Sequence, residues 1–460
     1  MKNQARDMLH GPLAMPLLLY AIPVMLTSVL QLLFNAADLV VVGRFCGSVS
    51  VAAVGSTGAI TNLIINLFIG LSVGAGVAVA HGIGSREAET VHRTVHTAVP
   101  LAAVSGVFLT VIGVLFSEPI LRMMGTPENV LRLSAVYMKV YFLGMTFNMV
   151  YNFCASILRA AGDTGSPLAI LTGAGVLNVI LNIIFVTMLH MNVAGVALAT
   201  AISQMLSAAA VVAVLSKRTD ACKLNLSKLC FYKEPLMKMV RIGIPAGVQS
   251  SMFSLSNVVI QSSINSFGDI AMSGNAAVSN LEGFEYVIVN SFHQTAVNYV
   301  GQNAGAMQYG RVKKITGLCM GYAALFGLVS GVLFNVFARE LLSVYITDSQ
   351  QAIAIGIVRM RFTTLPYFLY GLMDVVTGAL RGMGASFVSM VLTVLGVCGV
   401  RIAWIATVFQ LPQYHTQPCL YLSYPVSWII TLVIQLAAFL YFYRKYSVVT
   451  KSTSPAEERT

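Results

Sequence analysis

The chain has 460 residues, of which 57% are hydrophobic and 10% charged, with a formal net charge of +11. A soluble domain carries about 25% charged residues, so a globule surrounded by water is excluded, and a mean hydropathy of +0.79 agrees. The positive charge does not mark a nucleic-acid binder, because the basic residues sit in short breaks between long apolar runs.

Those runs are about 20–28 residues long, the length a helix needs to cross a bilayer. In lipid every backbone polar group must be satisfied within the protein, which leaves helices or closed barrels. Segments such as Leu63 to Ala80 do not alternate as barrel strands do. The sequence therefore predicts an all-α polytopic membrane protein of about twelve spans. In chain order they fall at 13–43, 52–80, 92–116, 131–158, 167–188 and 193–215, then at 240–267, 274–304, 312–337, 353–380, 385–409 and 419–443. The first run, Leu13 to Val42, is too long for a signal-peptide core and reads as a retained span.

With the N-terminus inside, most basic residues lie on the cytoplasmic side, from Lys2 and Arg6 through Lys217, Lys228 and Lys233 to Arg444 and Lys451. The opposite side keeps a scatter, chiefly Arg44, Arg122, Arg132, Arg339, Arg359 and Arg361. This is the positive-inside pattern, and it predicts both termini in the cytoplasm. The seven cysteines are an odd number and most lie in apolar runs, so no disulfide framework is expected. Cys222 and Cys230 share a loop, but at no usual zinc spacing.

The most basic break, Lys217 to Lys238, reads as a linker between two lobes, 1–216 and 239–446, with a cytoplasmic tail at 447–460. The halves resemble each other at a shift of about 222 residues. Ala21-Ile22-Pro23 returns as Gly243-Ile244-Pro245, and Leu158-Arg159-Ala160-Ala161-Gly162 as Leu380-Arg381-Gly382-Met383-Gly384. Gly84-Ser85-Arg86 recurs at Gly305-Ala306-Met307. Six spans per half is even, so the two six-helix bundles form a parallel pseudo-two-fold repeat. Such bundles suit a transporter; a duplicated scaffold that moves nothing is the alternative.

Ionisable groups inside spans cost roughly 2.5–3.5 kcal/mol each on insertion scales, so each needs a reason. Asp38 stands in the first span within Phe34-Asn35-Ala36-Ala37-Asp38-Leu39-Val40, with no cation on its face. A carboxylate so placed can take and release a proton, or it is simply satisfied by neighbouring amides. Asn178 and Asn182 share a face of the fifth span. By the rise of a helix, Asn182, Thr200 and Asp38 all fall roughly 8–10 Å below the outer surface. One carboxylate with amide and hydroxyl oxygens at that depth could hold a proton or a desolvated Na⁺; Asn178 and Thr200 could equally be interhelical glue.

In the second half, Glu282 and Glu285 share a face of the eighth span, with His293 about two turns away. Arg401 falls at a depth where it could pair with Glu282, either to lock two helices or to serve substrate or ion binding. Asp374 is expected to partner Arg381. Pro23 and Pro245 break hydrogen bonds inside the first span of each half and are candidate hinges. The 22 methionines and many phenylalanines suit a cavity for varied apolar ligands, though most will face lipid or fill the core.

Together, Ile22-Pro23, Asp38-Leu39-Val40-Val41-Val42-Gly43, Leu158 to Asp163, Gly301-Gln302-Asn303-Ala304-Gly305-Ala306 and Leu380-Arg381-Gly382 resemble the multidrug and toxic compound extrusion (MATE) family, over essentially the whole chain. The second half is most similar to the bacterial DinF-like branch. The resemblance implies two six-helix lobes, a central cavity and export of cationic or amphipathic compounds in exchange for H⁺ or Na⁺. It also implies a first-lobe cation site at Asp38, Asn178 and Thr200. Many relatives have an aspartate where this chain has Asn182, and losing that charge weakens a Na⁺ site more than a proton site. The branch with sodium ligands in the second lobe carries a glutamate in the seventh span, where this chain reads Ser251-Met252-Phe253-Ser254.

The expectation is a non-enzymatic antiporter in a bacterial inner membrane, coupled to H⁺ in preference to Na⁺, exporting drugs or organic cations. It is expected to act as a monomer, without cofactor, resident metal or nucleic acid, in contact with the lipid bilayer. A flippase for lipid-linked precursors is a rival, but it would need a strongly basic cavity for pyrophosphate. A membrane-embedded prenyl transferase would need clustered carboxylates for metal–diphosphate binding, and the sequence has no Asp-rich pair of motifs.

Overall fold

The computed structural model describes residues 7–347 and 349–453. Sixteen α-helices and no strands occur among the described residues. They are α1 Ala14–Phe45, α2 Ser48–Gly84, α3 Ala88–Met123, α4 Glu128–Leu143, α5 Met145–Ala160, α6 Gly165–Ile183, α7 Asn192–Ser216 and α8 Lys233–Asn265. Then come α9 Asp269–Gly305, α10 Tyr309–Val336, α11 Ala338–Tyr345, α12 Gln350–Thr363, α13 Tyr367–Gly382, α14 Ser386–Thr393, α15 Val400–Ala406 and α16 Gln417–Thr453.

Among the described residues eight helical segments are long and apolar enough to cross a membrane, and counting each of the bent pairs α4–α5 and α12–α13 as one span brings the number to ten. α8 and α9 are also long, at 33 and 37 residues, but polar runs such as Gln249-Ser250-Ser251 and Ser279-Asn280 lower their hydropathy. With them the twelve spans read from the sequence are all helical. The two bends are 47° and 45°. The first falls at Gly144 and the second at Thr364-Leu365-Pro366, where proline supplies no N–H to the helix. α6 ends in a π-helical turn, Ile184–Met188, and a second π turn, Val394–Gly399, joins α14 to α15.

Two compact units contain these helices. One comprises Leu26–Ser250 and the other Met8–Met25 with Ser251 onward. The first part of α1 thus belongs to the second unit, and the first part of α8 to the first. Pro23 and Pro245 lie just ahead of these boundaries.

In the first unit α5 packs on α2, α3 and α7. Its core is built from Met138, Phe142, Met145, Met149 and Phe153, all fully buried. In the second, α13 packs in the same way on α9, α10 and α16. That core includes Tyr20 edge-on to Tyr299 at 5.3 Å, with Phe292 and Trp428 nearby. Backbone detail repeats as well. Left-handed conformations recur at Gly47 and Gly268 (φ 86° and 88°), at Arg86 and Met307 (59° and 56°), and at Gly162 and Gly384 (86° and 84°).

Helix α8 begins at Lys233, so residues 233–238 wind into the helix, with Pro235 in its first turn where a missing N–H costs little. The remaining linker is strapped to α3. The N–H of Asn225 donates to His96 Nε2 at 3.0 Å, and the N–H of Tyr232 donates to Thr97 Oγ1 at 3.2 Å. His96 Nδ1 meets the His92 carbonyl at 2.8 Å, so both ring nitrogens of this buried side chain are engaged.

Within the first unit α2 approaches the start of α8 through Gly70 and Gly74 facing Gly243 and Gly247. Two glycines four apart on each helix let the backbones touch, the small-residue packing that lipid-embedded helices favour. A Cβ on Gly70 would run into the backbone of Gly243 and Gly247, whereas one on Gly58 meets nothing within 4 Å. Gly70→Ala should therefore destabilise the protein by about 1–3 kcal/mol. Gly58→Ala should be neutral or slightly stabilising. Unfolding midpoints of the purified variants in micelles check both.

Candidate functional site

Asp38 lies on α1, Asn178 and Asn182 on α6 and Thr200 on α7, and the fold brings all four together. α6 comes close to α1 because position 175 is glycine: a Cβ there would collide with the Phe34 ring. Gly175, Asn178 and Asn182 follow at i, i+3 and i+7, so the face that touches α1 also carries both amides. Asn182, fully buried, donates from Nδ2 to Asp38 Oδ1 at 2.5 Å and to Asn178 Oδ1 at 3.2 Å. Asn178 donates to Thr200 Oγ1 at 3.3 Å, and that hydroxyl donates to the Val196 carbonyl at 3.0 Å. Thr200 also lies near enough to Asp38 to interact with its carboxylate. Among the described residues no cation forms an ion pair with Asp38. Tyr137 and Tyr141 of α4, stacked at 5.9 Å, lie within electrostatic range of it. One polar atom stays unmatched: Asn182 Oδ1 is buried and has no hydrogen-bond partner.

The second-unit residues are arranged differently from the sequence expectation. Glu282 does not meet Arg401. It is held by Arg359, with Nε and Nη2 donating at 3.1 and 2.7 Å, while Arg359 Nη1 also donates to Asn275. Arg359 was expected among the outer-face residues but is 3% exposed. Arg361, two residues on, is exposed, as a helix turning about 100° per residue requires. The rule that every ionisable group inside a span needs a reason applied to Arg359, which falls in the 353–380 run, and would have found it.

Glu285 is completely buried and accepts from Ser330 Oγ at 3.1 Å, leaving Oε2 without a partner. His293 stands apart from both glutamates. Its Nδ1 lies 3.0 Å from Asp374 Oδ1 and its Nε2 lies 3.3 Å from Arg381 Nη1. The expected Asp374–Arg381 partnership is thus bridged by an imidazole. Arg401 donates from Nε to Ser427 Oγ at 3.0 Å and stacks over Tyr424, with 4.2 Å to the ring centroid. Tyr424 and Trp428 had no distinguishing signal in the sequence, because aromatic residues are common in any span.

Twelve helical spans in two alike units, with a carboxylate–amide cluster buried in one and paired charges in the other, define a polytopic membrane transporter. The chain belongs to the MatE family, the multidrug and toxic compound extrusion transporters, whose family model matches it twice, at residues 23–184 and 245–406. It is 27% identical over 441 residues to the probable multidrug resistance protein YoeA of Bacillus subtilis, covering 94% of each chain. It is 22% identical over 387 residues to the multidrug export protein MepA of Staphylococcus aureus, covering 84% of this chain and 85% of MepA. An FAD transporter of Shewanella oneidensis is 25% identical over 350 residues, with 75% and 76% covered. Solved structures share the fold. A MOP superfamily transporter from Pyrococcus furiosus aligns with a TM-score of 0.90 at 20% identity, covering 97% of this chain and 99% of that one. MATE in complex with MaL6 aligns at 0.88 and 21% identity, covering 98% and 100%.

Breaking a buried ion pair costs about 3–5 kcal/mol, because the remaining charge is left uncompensated. Glu282→Ala should accordingly lower the unfolding midpoint and membrane yield sharply. Glu282→Leu combined with Arg359→Leu should recover most of the loss. Fluorescence-detected size exclusion after a heating series distinguishes the two.

Proposed function

We propose that the protein is an antiporter of the cytoplasmic membrane that exports amphipathic or cationic small molecules by alternating access, driven by H⁺ rather than Na⁺. Asp38 is the coupling carboxylate, Asn178, Asn182 and Thr200 tune it, and Pro23 and Pro245 act as hinges at the points where helices α1 and α8 change unit. The relatives named as multidrug resistance and export proteins support the export reading.

The observation that carries proton coupling is the unmatched Asn182 Oδ1 beside Asp38. With the carboxylate ionised, the amide N–H₂ donates to it and the amide oxygen goes unused. With the carboxyl protonated, its O–H becomes a donor and the amide oxygen an acceptor within the same cluster. One site therefore has a hydrogen-bonded arrangement for each protonation state. Sodium is served less well. A hard cation needs several oxygens and charge compensation, and here there is one carboxylate, with the Asn182 N–H₂ donors occupying the space between Asp38 and Asn178.

Asp38→Asn should leave the protein inserted and folded yet reduce gradient-driven export by about 100-fold or more, since the exchanged proton has no other carrier in the cluster. The assay is dye efflux from proteoliposomes under an imposed ΔpH or ΔNa⁺. Wild-type transport driven by ΔpH alone and lost in the variant is the expected result. Transport that requires ΔNa⁺ overturns the ion assignment, and normal efflux by Asp38→Asn overturns the mechanism. No movement of dye under either gradient turns the reading to a lipid-precursor flippase.

A further inference from the structure

Among the described residues the second unit holds three buried guanidinium groups; one is answered by an acid directly and another through an imidazole. Arg359 is paired with Glu282, and Arg381 reaches His293, which is itself paired with Asp374. Arg401 is 3% exposed, yet among the described residues no carboxylate pairs with it. Its Nε is used by Ser427. Among the described residues neither Nη group has an acceptor. The forked edge of the group, the edge that binds an oxyanion through two parallel hydrogen bonds, is therefore open.

The surroundings are specific. Tyr424 lies under the guanidinium at 4.2 Å and Trp428 at 5.8 Å. Trp428 packs in turn against Tyr367 and Tyr370, at 5.5 and 5.8 Å. The indole Nε1 of Trp428 is buried and has no acceptor. A lone buried N–H donor is uncommon and calls for an explanation, and here it lies beside a second set of unused donors. Arg401 also lies two residues beyond the π turn Val394–Gly399, a distortion that tends to accompany functional positions. An arginine kept for stability alone would be met by an acid, as Arg359 is; an aromatic face stabilises the cation but gives its N–H groups no acceptor.

The geometry points to an anion-recognition site in which Arg401 and Trp428 bind a carboxylate or phosphate group carried by an aromatic compound, while the surrounding tyrosines stack on its rings. This deepens the export reading and depends on it only in taking that compound as the cargo. The exported class would then be amphoteric or anionic amphipaths as well as simple organic cations.

Rhodamine 110 and rhodamine 123 share one ring system and differ in a free carboxylate against its methyl ester. Fluorescence polarisation with the purified full chain should show the acid bound more tightly than the ester. Arg401→Gln should weaken rhodamine 110 by about tenfold or more, the loss expected of one charge-assisted pair, and change rhodamine 123 by less than about twofold. Arg401→Lys should retain part of the preference, and Trp428→Phe should weaken the acid alone; both test the site should Arg401→Gln fail to fold. Equal binding of the two dyes to wild type, no binding of rhodamine 110, or equal losses for both dyes in Arg401→Lys and Trp428→Phe would overturn the proposal. Selective, Arg401-dependent binding without gradient-driven movement would uphold the anion site and overturn the export reading instead.

Discussion

In a hydrocarbon solvent, a polar group that finds no partner within the protein finds none at all. That constraint reaches from the backbone, which it forces into helices, to the few ionisable side chains, which it forces into clusters. Asp38 sits with two amides and a hydroxyl, Glu282 with Arg359, and Asp374 with His293. Where the pairing is incomplete, at Asn182 Oδ1, Glu285 Oε2, Trp428 Nε1 and the Arg401 fork, the missing partner is the functional question. A proton or an anionic cargo is the kind of partner that arrives and leaves.

Duplication supplied the frame twice but not the chemistry. The main helix pairings, three left-handed positions and the bend of one helix pair recur in each unit. At a shift of 222 residues, however, Asp38, Asn178, Asn182 and Thr200 fall against Ile260, Val400, Trp404 and Leu422. Arg401 falls against Val179, and Arg359 against Tyr137. Packing of apolar surface tolerates one template in both halves, because it needs only volume and small residues at crossings. Ionisable groups are expensive, so each half retains only those it uses. The first unit is left with one carboxylate among amides and the second with carboxylates and guanidinium groups combined.

The exchange of helix ends belongs to the same frame. α1 and α8 each begin in one unit and continue in the other, with a proline just ahead of the change. A helix that has lost one hydrogen bond at that point bends at low cost. The carboxylate on the later part of α1 is thereby joined along one helix to the packing of the earlier part.

Hydropathy and spacing alone determined the solvent, the helical class, the twelve spans and the repeat, and they singled out the residues that gather in the first unit as candidates. Each of these depends on near-neighbour periodicity or on depth along a helix, and a linear chain records both. Asn182 could be placed at the depth of Asp38, and Asn178 on the same face as Asn182, without knowing how α6 met α1. Tertiary structure decided which charges meet across helices. Rotation about a helix axis and the bend at Leu365-Pro366 set whether Glu282 faces Arg359 or Arg401, and depth does not encode rotation. For the same reason Arg359 moved from the outer face to the interior, His293 came between Asp374 and Arg381, and the aromatic surroundings of Arg401 became visible only once α15 and α16 were packed.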